Sequence, residues 1–248
     1  MKEKNKNTFN ILVVIPARGG SVGVPRKNIK SLNGEPLISY VIKAALNSKY
    51  DLDVIVSTDN HEIADIATKY GAKAPFLRPK EISGSNSTLI LTSKHALEYF
   101  SSKGTHYDAV LSLQPTAPLI TSKTIDKTID KLTDSDFTSI ITVSEMVQGH
   151  PYTAKRLLDD GGLESFVDIP EGAITFPRQK REKPFYTNGA IYLRLSSLVE
   201  TYEDGGWQLG DKPGYIIMDE KESIDINNVM DFAWAEFILQ DKHKSRFF

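Results

Sequence analysis

Cysteine does not occur among the 248 residues of this sequence, which excludes disulfide bonds, thiolate metal sites and a cysteine nucleophile. Long apolar runs are missing too, because no segment approaches the roughly 20 apolar residues of a membrane-spanning helix. Neither sign of charge dominates, with 30 Lys and Arg against 32 Asp and Glu, so no basic field favours nucleic acid. The apolar run behind the basic start is too short for a signal peptide. We therefore expect a cytoplasmic protein without a nucleic-acid or membrane partner.

Several common catalytic and phosphate-binding motifs are also missing. No Ser, His and Asp occur around a nucleophile elbow, which leaves a hydrolase activity without support. The Walker motif requires Gly-Lys followed by Ser or Thr, whereas Lys27 lies between Arg26 and Asn28. The glycines within residues 19–23 do not fit the dinucleotide fingerprint GxGxxG. ATPase and dehydrogenase activities therefore lose their main sequence signals.

The most informative stretch covers residues 9–28, FNILVVIPARGGSVGVPRKN. Residues 11–15 are apolar and mostly β-branched, which is typical of a buried parallel strand, and Pro16 ends that strand. The glycines that follow allow the backbone to approach an anion closely, while Arg18, Arg26 and Lys27 supply positive charge. A cationic, glycine-rich turn after a strand predicts a phosphate-binding site. The alternative is a tight turn with solvated charges.

Strand and helix patterns alternate along the chain, which predicts one α/β domain over residues 1–248 with a doubly wound, mostly parallel sheet. Thr58 and Asp59 are the expected caps of the second helix. Residues 148–184 follow neither period but retain apolar positions, so we expect an inserted dimerisation arm or lid there. The predicted strands are 11–15, 52–57, 108–113, 138–144, 190–193 and 215–218, and the final predicted helix is 228–240.

The glycine-rich stretch resembles the first motif of the CMP-sugar synthetases, the cytidylyltransferases that act on sialic acids and related nonulosonic acids. Their motif is similar to PARGGSKGIPRKN, and this chain has PARGGSVGVPRKN, with Val22 where the family usually has Lys. The resemblance implies a nucleotide-diphospho-sugar transferase-like fold. It also implies that the triphosphate and the attacked phosphorus contact residues of this loop, namely Arg18, Gly20, Ser21, Lys27 and Asn28. A role for Arg26 is left open.

Two further segments resemble the family's nucleotide and sugar motifs. The LRP segment places Arg78 at the nucleotide base, and the Ser/Thr stretch after it, with Ser87 and Thr88, is expected to line the cytosine pocket. The segment LQPTAPL is similar to the family's LQPTSPL. It follows a predicted strand, where open α/β sheets place ligand contacts. Gln114 and Thr116 of this segment are therefore expected to bind the sugar, since both can donate and accept hydrogen bonds.

The sugar site is expected to include a strand motif and an arginine. NGAIY, residues 188–192, resembles the family's sugar-binding strand and contributes Asn188 and Tyr192. Arg178 and Gln179 resemble the family's RQ pair. A substrate carboxylate favours a guanidinium partner, because two parallel charge-assisted bonds fix its orientation. Arg178 is the candidate for that partner, and the alternatives are Arg181 and Lys155.

The segment ESIDINNVMD, residues 222–231, resembles the family's metal-binding IDID or IDSE. Magnesium favours hard oxygen ligands and usually takes one or two carboxylates together with substrate phosphates. The resemblance implies a Mg²⁺ or Mn²⁺ site on Asp225 and Asn227, the latter a neutral residue in place of a second carboxylate. The alternative is that Asn227 caps the final helix. Asp231 is expected at the start of that helix.

The resemblance implies that CTP and an acidic nine-carbon sugar, such as N-acetylneuraminate or legionaminate, are converted to the CMP-sugar and pyrophosphate by a homodimer. Arg18, Lys27 and Asp225 are the candidate catalytic residues. One alternative is a nucleotide-binding relative with weak or no turnover, favoured by the charge lost at Val22 and Asn227. Another is a synthetase for a different acidic sugar, such as pseudaminate or 3-deoxy-octulosonate.

Overall fold

The structure is a computed structural model that describes residues 9–20, 23–84, 87–203 and 205–241. Its helices are α1 (Leu37–Leu46), α2 (His61–Lys69), α3 (Leu89–Ser101), α4 (Ser122–Thr133), α5 (Ser196–Glu200) and α6 (Val229–Asp241). Its strands are β1 (Ile11–Pro16), β2 (Ser31–Leu32), β3 (Glu35–Pro36), β4 (Asp53–Ser57), β5 (Ala109–Leu113), β6 (Ser139–Glu145), β7 (Lys155–Leu157), β8 (Leu163–Ser165), β9 (Phe185–Leu195) and β10 (Pro213–Ile217). Within these ranges, no helix is long and apolar enough to cross a membrane.

The main sheet has the strand order β10-β6-β9-β5-β1-β4. β1 pairs in parallel with β4 and β5, and β10 pairs in parallel with β6. β9 runs antiparallel between β5 and β6. This arrangement confirms the predicted α/β fold with a mostly parallel sheet.

The strand β1 lies between β5 and the edge strand β4 and is buried on both faces. Its odd-numbered residues, Val13 and Ile15 among them, belong to a core built with α1, α2 and α4. Leu12 and Val14 point to the opposite face, in a core built with α3 and α5. A strand covered by helices on both faces reads as a continuous apolar run, which is why residues 11–15 were recognisable from the sequence. The loop that follows β1 therefore starts from a rigid support.

Two predicted details differ from the structure. Asn60, and not Thr58 or Asp59, caps α2, because its side chain accepts a hydrogen bond from the Ile63 amide. Asp59 instead accepts a hydrogen bond from the Gly19 amide, so its carboxylate is used by the glycine-rich loop. The strand predicted at residues 190–193 is the longer β9, Phe185–Leu195. Gly189, with φ of 75°, lies within this strand.

Residues 148–184 leave the main sheet and form the small antiparallel hairpin of β7 and β8. Leu157 and Leu163 face each other in this hairpin and are 79% and 64% exposed. Phe166 and Phe176 are exposed as well. Several exposed large apolar side chains within one segment are typical of an interaction surface.

Candidate active site

A cavity of about 450 Å³ lies at the carboxyl edge of the main sheet. Open α/β sheets bind ligands in the crevice outside the carboxyl ends of their strands, and this cavity adjoins the ends of β1 and β5. It brings together nine residues predicted to belong to the site, which are Arg18, Lys27, Asn28, Arg78, Ser87, Gln114, Thr116, Asp225 and Asn227.

The glycine-rich loop is folded by two side chains from outside its own turn. The Gly19 amide donates a hydrogen bond to Asp59 Oδ1 at 2.7 Å. The buried Asn28 side chain donates from Nδ2 to the Arg18 carbonyl oxygen at 2.9 Å. The first bond ties the segment that carries Arg18 and the exposed Gly20 to the residues after β4, and the second joins the two ends of the loop. Ser21 and Val22 lie outside the described residues.

The two basic residues at the end of the loop have different partners. Lys27 donates from Nζ to the carbonyl oxygen of Ile226 at 2.7 Å. Burial lowers the pKa of Lys27, and the nearby negative charge of Asp225 acts in the opposite direction. Arg26 instead forms an exposed ion pair with Glu62 of α2. Lys27 is thus the cation of this pair that faces the cavity and its acidic residue.

The segment that carries Asp225 is fastened to the cavity by its own backbone. The Ile226 amide donates to the Thr116 carbonyl oxygen at 2.7 Å. Asn227 donates from Nδ2 to Asp225 Oδ2 at 2.8 Å, so the amide orients the carboxylate. Asn228 caps α6, since its Oδ1 accepts hydrogen bonds from the amides of residues 230 and 231. The alternative role of Asn227 as that cap is therefore wrong. Asp231 lies at the start of α6, as expected, and accepts from the amides of residues 227 and 228.

Gly23 marks a close approach between the backbone of the glycine-rich loop and the segment that carries Asp225. A Cβ atom at this position would lie 2.2 Å from the carbonyl oxygen of Asn227. Replacing Gly23 with alanine must therefore push the glycine-rich loop and the Asp225 segment apart. We expect Gly23→Ala to lower the free energy of unfolding by about 1–3 kcal/mol, as overpacking typically does. Thermal unfolding measures this loss. Gly20→Ala is the matched control for stability, because a Cβ at Gly20 has no atom within 4 Å, and equal losses in the two variants would contradict the contact.

Arg78 is a buried cation beside the same loop. Its side chain is 6% exposed, and it donates from Nε to Ser83 Oγ and from Nη1 to Thr92 Oγ1, both at 3.2 Å. Burial lowers the pKa of Arg78; Asp59 raises it and Arg18 lowers it. Among the described residues the side-chain hydrogen-bond partners of this guanidinium are hydroxyl groups, and the Asp59 carboxylate offsets only part of the effect of burial. This part of the cavity wall therefore suits an anion.

The two Ser/Thr residues predicted for the base pocket lie at the start of α3. Ser87 lines the cavity. Thr88 occupies the N-cap position of α3 without a capping side-chain bond. Its buried Oγ1 has no hydrogen-bond partner among the described residues. A buried hydroxyl without a partner is costly, so Thr88 has an unused donor and acceptor near the cavity.

The predicted sugar-binding residues on β5 and β9 are not all placed alike. Gln114 lines the cavity and donates from Nε2 to the Gly189 carbonyl oxygen at 2.8 Å. Tyr192 is half-buried, and its hydroxyl lies 3.9 Å from the position that a Gly189 Cβ would occupy. Asn188 is buried and exchanges hydrogen bonds with Thr142 and Ser144 of β6. The Asn188 side chain is thus engaged within the sheet, where it holds the backbone next to Gly189.

The candidate partners for a substrate carboxylate lie in the excursion from the main sheet. Arg178 and Gln179 belong to a short turn, Arg178–Lys180, in which Gln179 is exposed. Lys155 donates to Ser165 Oγ across the β7–β8 hairpin. Arg181 is half-buried, and its Nε and Nη1 have no partner within the described ranges. Lys155, Gln179 and Arg181 are not among the described residues that line the cavity, so their roles stay predictions.

Two site residues were missed from the sequence. Asp59 anchors Gly19, and Thr92 receives the Arg78 guanidinium. Asp59 follows β4 directly, at the same carboxyl edge as the glycine-rich loop, and that position was a usable signal. Thr92 had no comparable signal, because a threonine inside a helix is commonplace and only the fold places it beside Arg78.

A family model described as cytidylyltransferase matches residues 12–199 of the chain. The chain belongs to the cytidylyltransferase family. The matched region contains the glycine-rich loop, Arg78 and Gln114, and it ends before Asp225. The matched region therefore includes most of the described residues that line the cavity.

Relatives and solved structures cover nearly the whole of this cytidylyltransferase. It is 30% identical to the pseudaminic acid cytidylyltransferase of Campylobacter jejuni, over 95% of this chain and 99% of that protein. It is 33% identical to the CMP-N,N'-diacetyllegionaminic acid synthase of Legionella pneumophila, over 94% and 97%. The structure is similar to that of CMP:2-keto-3-deoxy-manno-octonic acid synthetase complexed with CTP, with a TM-score of 0.69, 14% identity and coverage of 94% and 99%. That likeness shows the fold.

Proposed function

We propose that this cytidylyltransferase transfers the cytidylyl group of CTP to a nonulosonic acid, which is an acidic nine-carbon sugar, and releases pyrophosphate. The proposal depends on one observation: a single cavity brings Arg18, Lys27 and Arg78 together with Asp225, the one carboxylate among its described lining residues. A nucleoside triphosphate is the polyanion that this arrangement suits. The relatives named for pseudaminic and legionaminic acid support a nonulosonic acid as the acceptor.

The proposed reaction is an in-line displacement at the α-phosphorus of CTP. A hydroxyl oxygen of the sugar forms the new P–O bond, the bond to the bridging oxygen of the β-phosphate breaks, and the hydroxyl proton leaves to solvent. Such transfers are catalysed mainly by positioning and by charge stabilisation. Lys27 would offset charge on the transferring group, and Arg18 would stabilise the departing pyrophosphate. Gln114, next to Gly189, would orient the acceptor.

A divalent cation, Mg²⁺ or Mn²⁺, would be held by Asp225 and by Oδ1 of Asn227 together with phosphate oxygens. The residues fit this role because Nδ2 of Asn227 is used in the bond to Asp225, which leaves its oxygen available. No group of three or more His, Cys, Asp or Glu side chains within the described ranges is placed to hold a metal. Such a poor protein ligand set is what magnesium tolerates when substrate phosphates complete its shell. The cation would supply neutralisation of phosphate charge.

Pyrophosphate release tests the proposal directly. The purified protein is incubated with CTP, Mg²⁺ and, in separate reactions, N-acetylneuraminate, legionaminate, pseudaminate or 3-deoxy-octulosonate. We expect pyrophosphate with at least one of the three nonulosonic acids and formation of the matching CMP-sugar.

The second candidate, a nucleotide-binding relative without turnover, is favoured by the neutral Asn227 in the acidic segment. CTP binding by calorimetry without pyrophosphate from any sugar would favour this second candidate.

The lowered pKa of Lys27 predicts an alkaline limit on CTP capture. Burial lowers this pKa below the ordinary value of 10.5 in the free protein. As the pH rises through the lowered pKa, the ammonium becomes neutral and loses its attraction for the triphosphate. The parameter kcat/KM for CTP reports groups of the free enzyme. We therefore expect it to decrease as the pH rises, with the decrease beginning before pH 10.5 is reached. Lys27→Arg stays charged, so its alkaline limb should move to higher pH, and an unmoved limb would assign the titration to another group.

The exposed apolar side chains of the excursion support a homodimer, with residues 148–184 as the contact between copies. Leu157 and Leu163 form one exposed apolar pair of the hairpin. We expect a dimer by light scattering and a monomer for the double variant Leu157→Glu/Leu163→Glu, because burying two unpaired carboxylates is unfavourable. The single variants Lys69→Glu and Lys103→Glu change exposed charges on the main domain and serve as controls. An unchanged dimer in the hairpin variant would place the contact elsewhere.

A further inference from the structure

Arg194 of β9 is a buried cation for which the reaction outlined above has no use. Its side chain is 1% exposed. Nε donates to the Gln208 carbonyl oxygen at 2.8 Å. Nη1 and Nη2 are buried and have no hydrogen-bond partner among the described residues. Burial lowers the pKa of Arg194 to about 10, which reflects the cost of keeping a guanidinium away from water. A charge retained at such a cost calls for a functional explanation.

The guanidinium of Arg194 lies against the aromatic ring of Tyr192. The Arg194 Cζ atom lies 4.6 Å from the centroid of the Tyr192 ring. The two residues are two positions apart on one strand, so they share a face of the sheet. A cation over an aromatic face is attracted by the ring quadrupole, most strongly where water is excluded. Arg194 therefore restricts the tilt and position of the Tyr192 ring.

The other end of Tyr192, its hydroxyl, lies near Gly189 and Gln114. Gly189 has no side chain, and both Gln114 Nε2 and the Tyr192 hydroxyl lie close to the point where its Cβ would be, at 3.1 and 3.9 Å. Gln114 lines the cavity. Within the described ranges the Tyr192 hydroxyl makes no hydrogen bond to the protein, so it is available to a ligand placed beside Gln114.

We propose that Arg194 is a positioning residue: its buried guanidinium holds the Tyr192 ring so that the hydroxyl stands beside Gln114 and meets the acidic sugar. This inference rests on the proposed function for the identity of the sugar. Arg194 touches no substrate itself. Its effect is on acceptor binding and not on CTP, because Arg18, Lys27 and Arg78, the cavity-lining cations of the CTP site, are carried by other segments.

A purely structural role is the competing explanation, since Nε also fastens the turn that contains Gln208. The two roles predict opposite effects of Arg194→Met. If the guanidinium only supports the turn, the variant loses stability, and KM rises equally for CTP and for the sugar. If it acts on Tyr192, removal of a poorly compensated buried charge leaves stability equal or higher, while the sugar alone binds less well. Comparing the melting temperature with the two KM values separates these cases.

The experiment uses Arg194→Met, Arg194→Lys, Tyr192→Phe and the double variant Arg194→Met/Tyr192→Phe in the full chain. We expect Arg194→Met to raise KM for the sugar by about tenfold, with kcat and KM for CTP within about twofold, the size of effect of a desolvated cation–π contact. Tyr192→Phe should raise the same KM, and the double variant should be no worse than the stronger single variant. Lys103→Met, which removes a cation 4.6 Å from the Tyr99 ring at the protein surface, is the matched control.

A sugar KM unchanged in Arg194→Met, or fully additive effects in the double variant, would overturn the inference. If Arg194→Met does not fold, Arg194→Lys provides the same comparison with a smaller increase in KM. Fluorotyrosine at position 192 adds a readout independent of turnover: its fluorine resonance should shift and broaden in Arg194→Met, and an identical spectrum would also overturn the inference. Wild-type protein that turns over none of the nonulosonic acids would contradict the proposed function, and the spectra would still decide the role of Arg194.

Discussion

Lys27→Met is expected to lower kcat/KM for CTP by about 10²–10³-fold, the effect of removing one preorganised charge from a transition state. The Lys27 ammonium is held by the Ile226 carbonyl oxygen at 2.7 Å, next to Asp225. It therefore stands in the cavity before any ligand arrives, and no reorganisation is needed when phosphate charge develops. Methionine fills a similar volume without the charge. Steady-state rates of pyrophosphate release at varied CTP concentration measure the loss.

Lys30→Met is the control for this prediction. Lys30 is exposed, only three residues from Lys27, and its ammonium lies over the Phe232 ring. Surface substitutions of this kind usually change the free energy of unfolding by no more than about 0.5 kcal/mol. We therefore expect kcat/KM for CTP in Lys30→Met to equal that of the wild type. Because burial makes the Lys27 charge costly, Lys27→Met should melt no earlier than the wild type. A variant that melted much earlier, with kcat/KM lowered equally for CTP and the sugar, would instead indicate a structural role for Lys27.

The parts of the fold that the sequence predicts are those decided by local patterns. Residues 11–15 show a continuous apolar run, and the structure places them in β1, buried on both faces. A capping residue directly before a helix is a local signal of the same kind, as with Thr121, whose hydroxyl oxygen accepts from the Thr124 amide at the start of α4. The cavity was anticipated for the same reason, since loops after parallel strands converge at one edge of a sheet.

The remaining details depend on contacts between residues far apart in the chain. Asp59 was expected to cap a helix, but its carboxylate accepts a hydrogen bond from the amide of Gly19, 40 residues away. Arg26 carries the same charge as Lys27, yet Glu62 pairs with Arg26 and the Ile226 carbonyl with Lys27. No local pattern distinguishes the two. Arg194 likewise reads as an ordinary strand residue, and only the paired strands on both sides of β9 show that its charge is buried.

The acidic segment yields the second large expected effect, because its two polar residues are separable by charge. Asp225→Asn should lower turnover by about 10²–10³-fold at saturating Mg²⁺, since the only carboxylate among the described cavity-lining residues is lost.

Asn227→Asp should act in the opposite direction, by strengthening the binding of the cation. A second carboxylate next to Asp225 raises the ligand charge, and ligand charge tunes the affinity of oxygen sites. We expect Mn²⁺ to bind about tenfold more tightly to Asn227→Asp in the presence of a non-hydrolysable CTP analogue.

The electron paramagnetic resonance signal of free Mn²⁺ measures this affinity without any turnover. Cation binding and catalysis are therefore measured separately. Asp231→Asn is the matched control, because Asp231 supports the backbone amides of Asn227 and Asn228 through an oxygen that asparagine also possesses. Its Mn²⁺ affinity should stay within about threefold of the wild type, since a charge outside the ligand set acts only through a screened field. If Asn227→Asp bound Mn²⁺ no more tightly, the bond from Asn227 Nδ2 to Asp225 Oδ2 would be the whole role of this asparagine. The cation would then be held by Asp225 and phosphate oxygens alone, and the neutral residue would act by aiming one carboxylate.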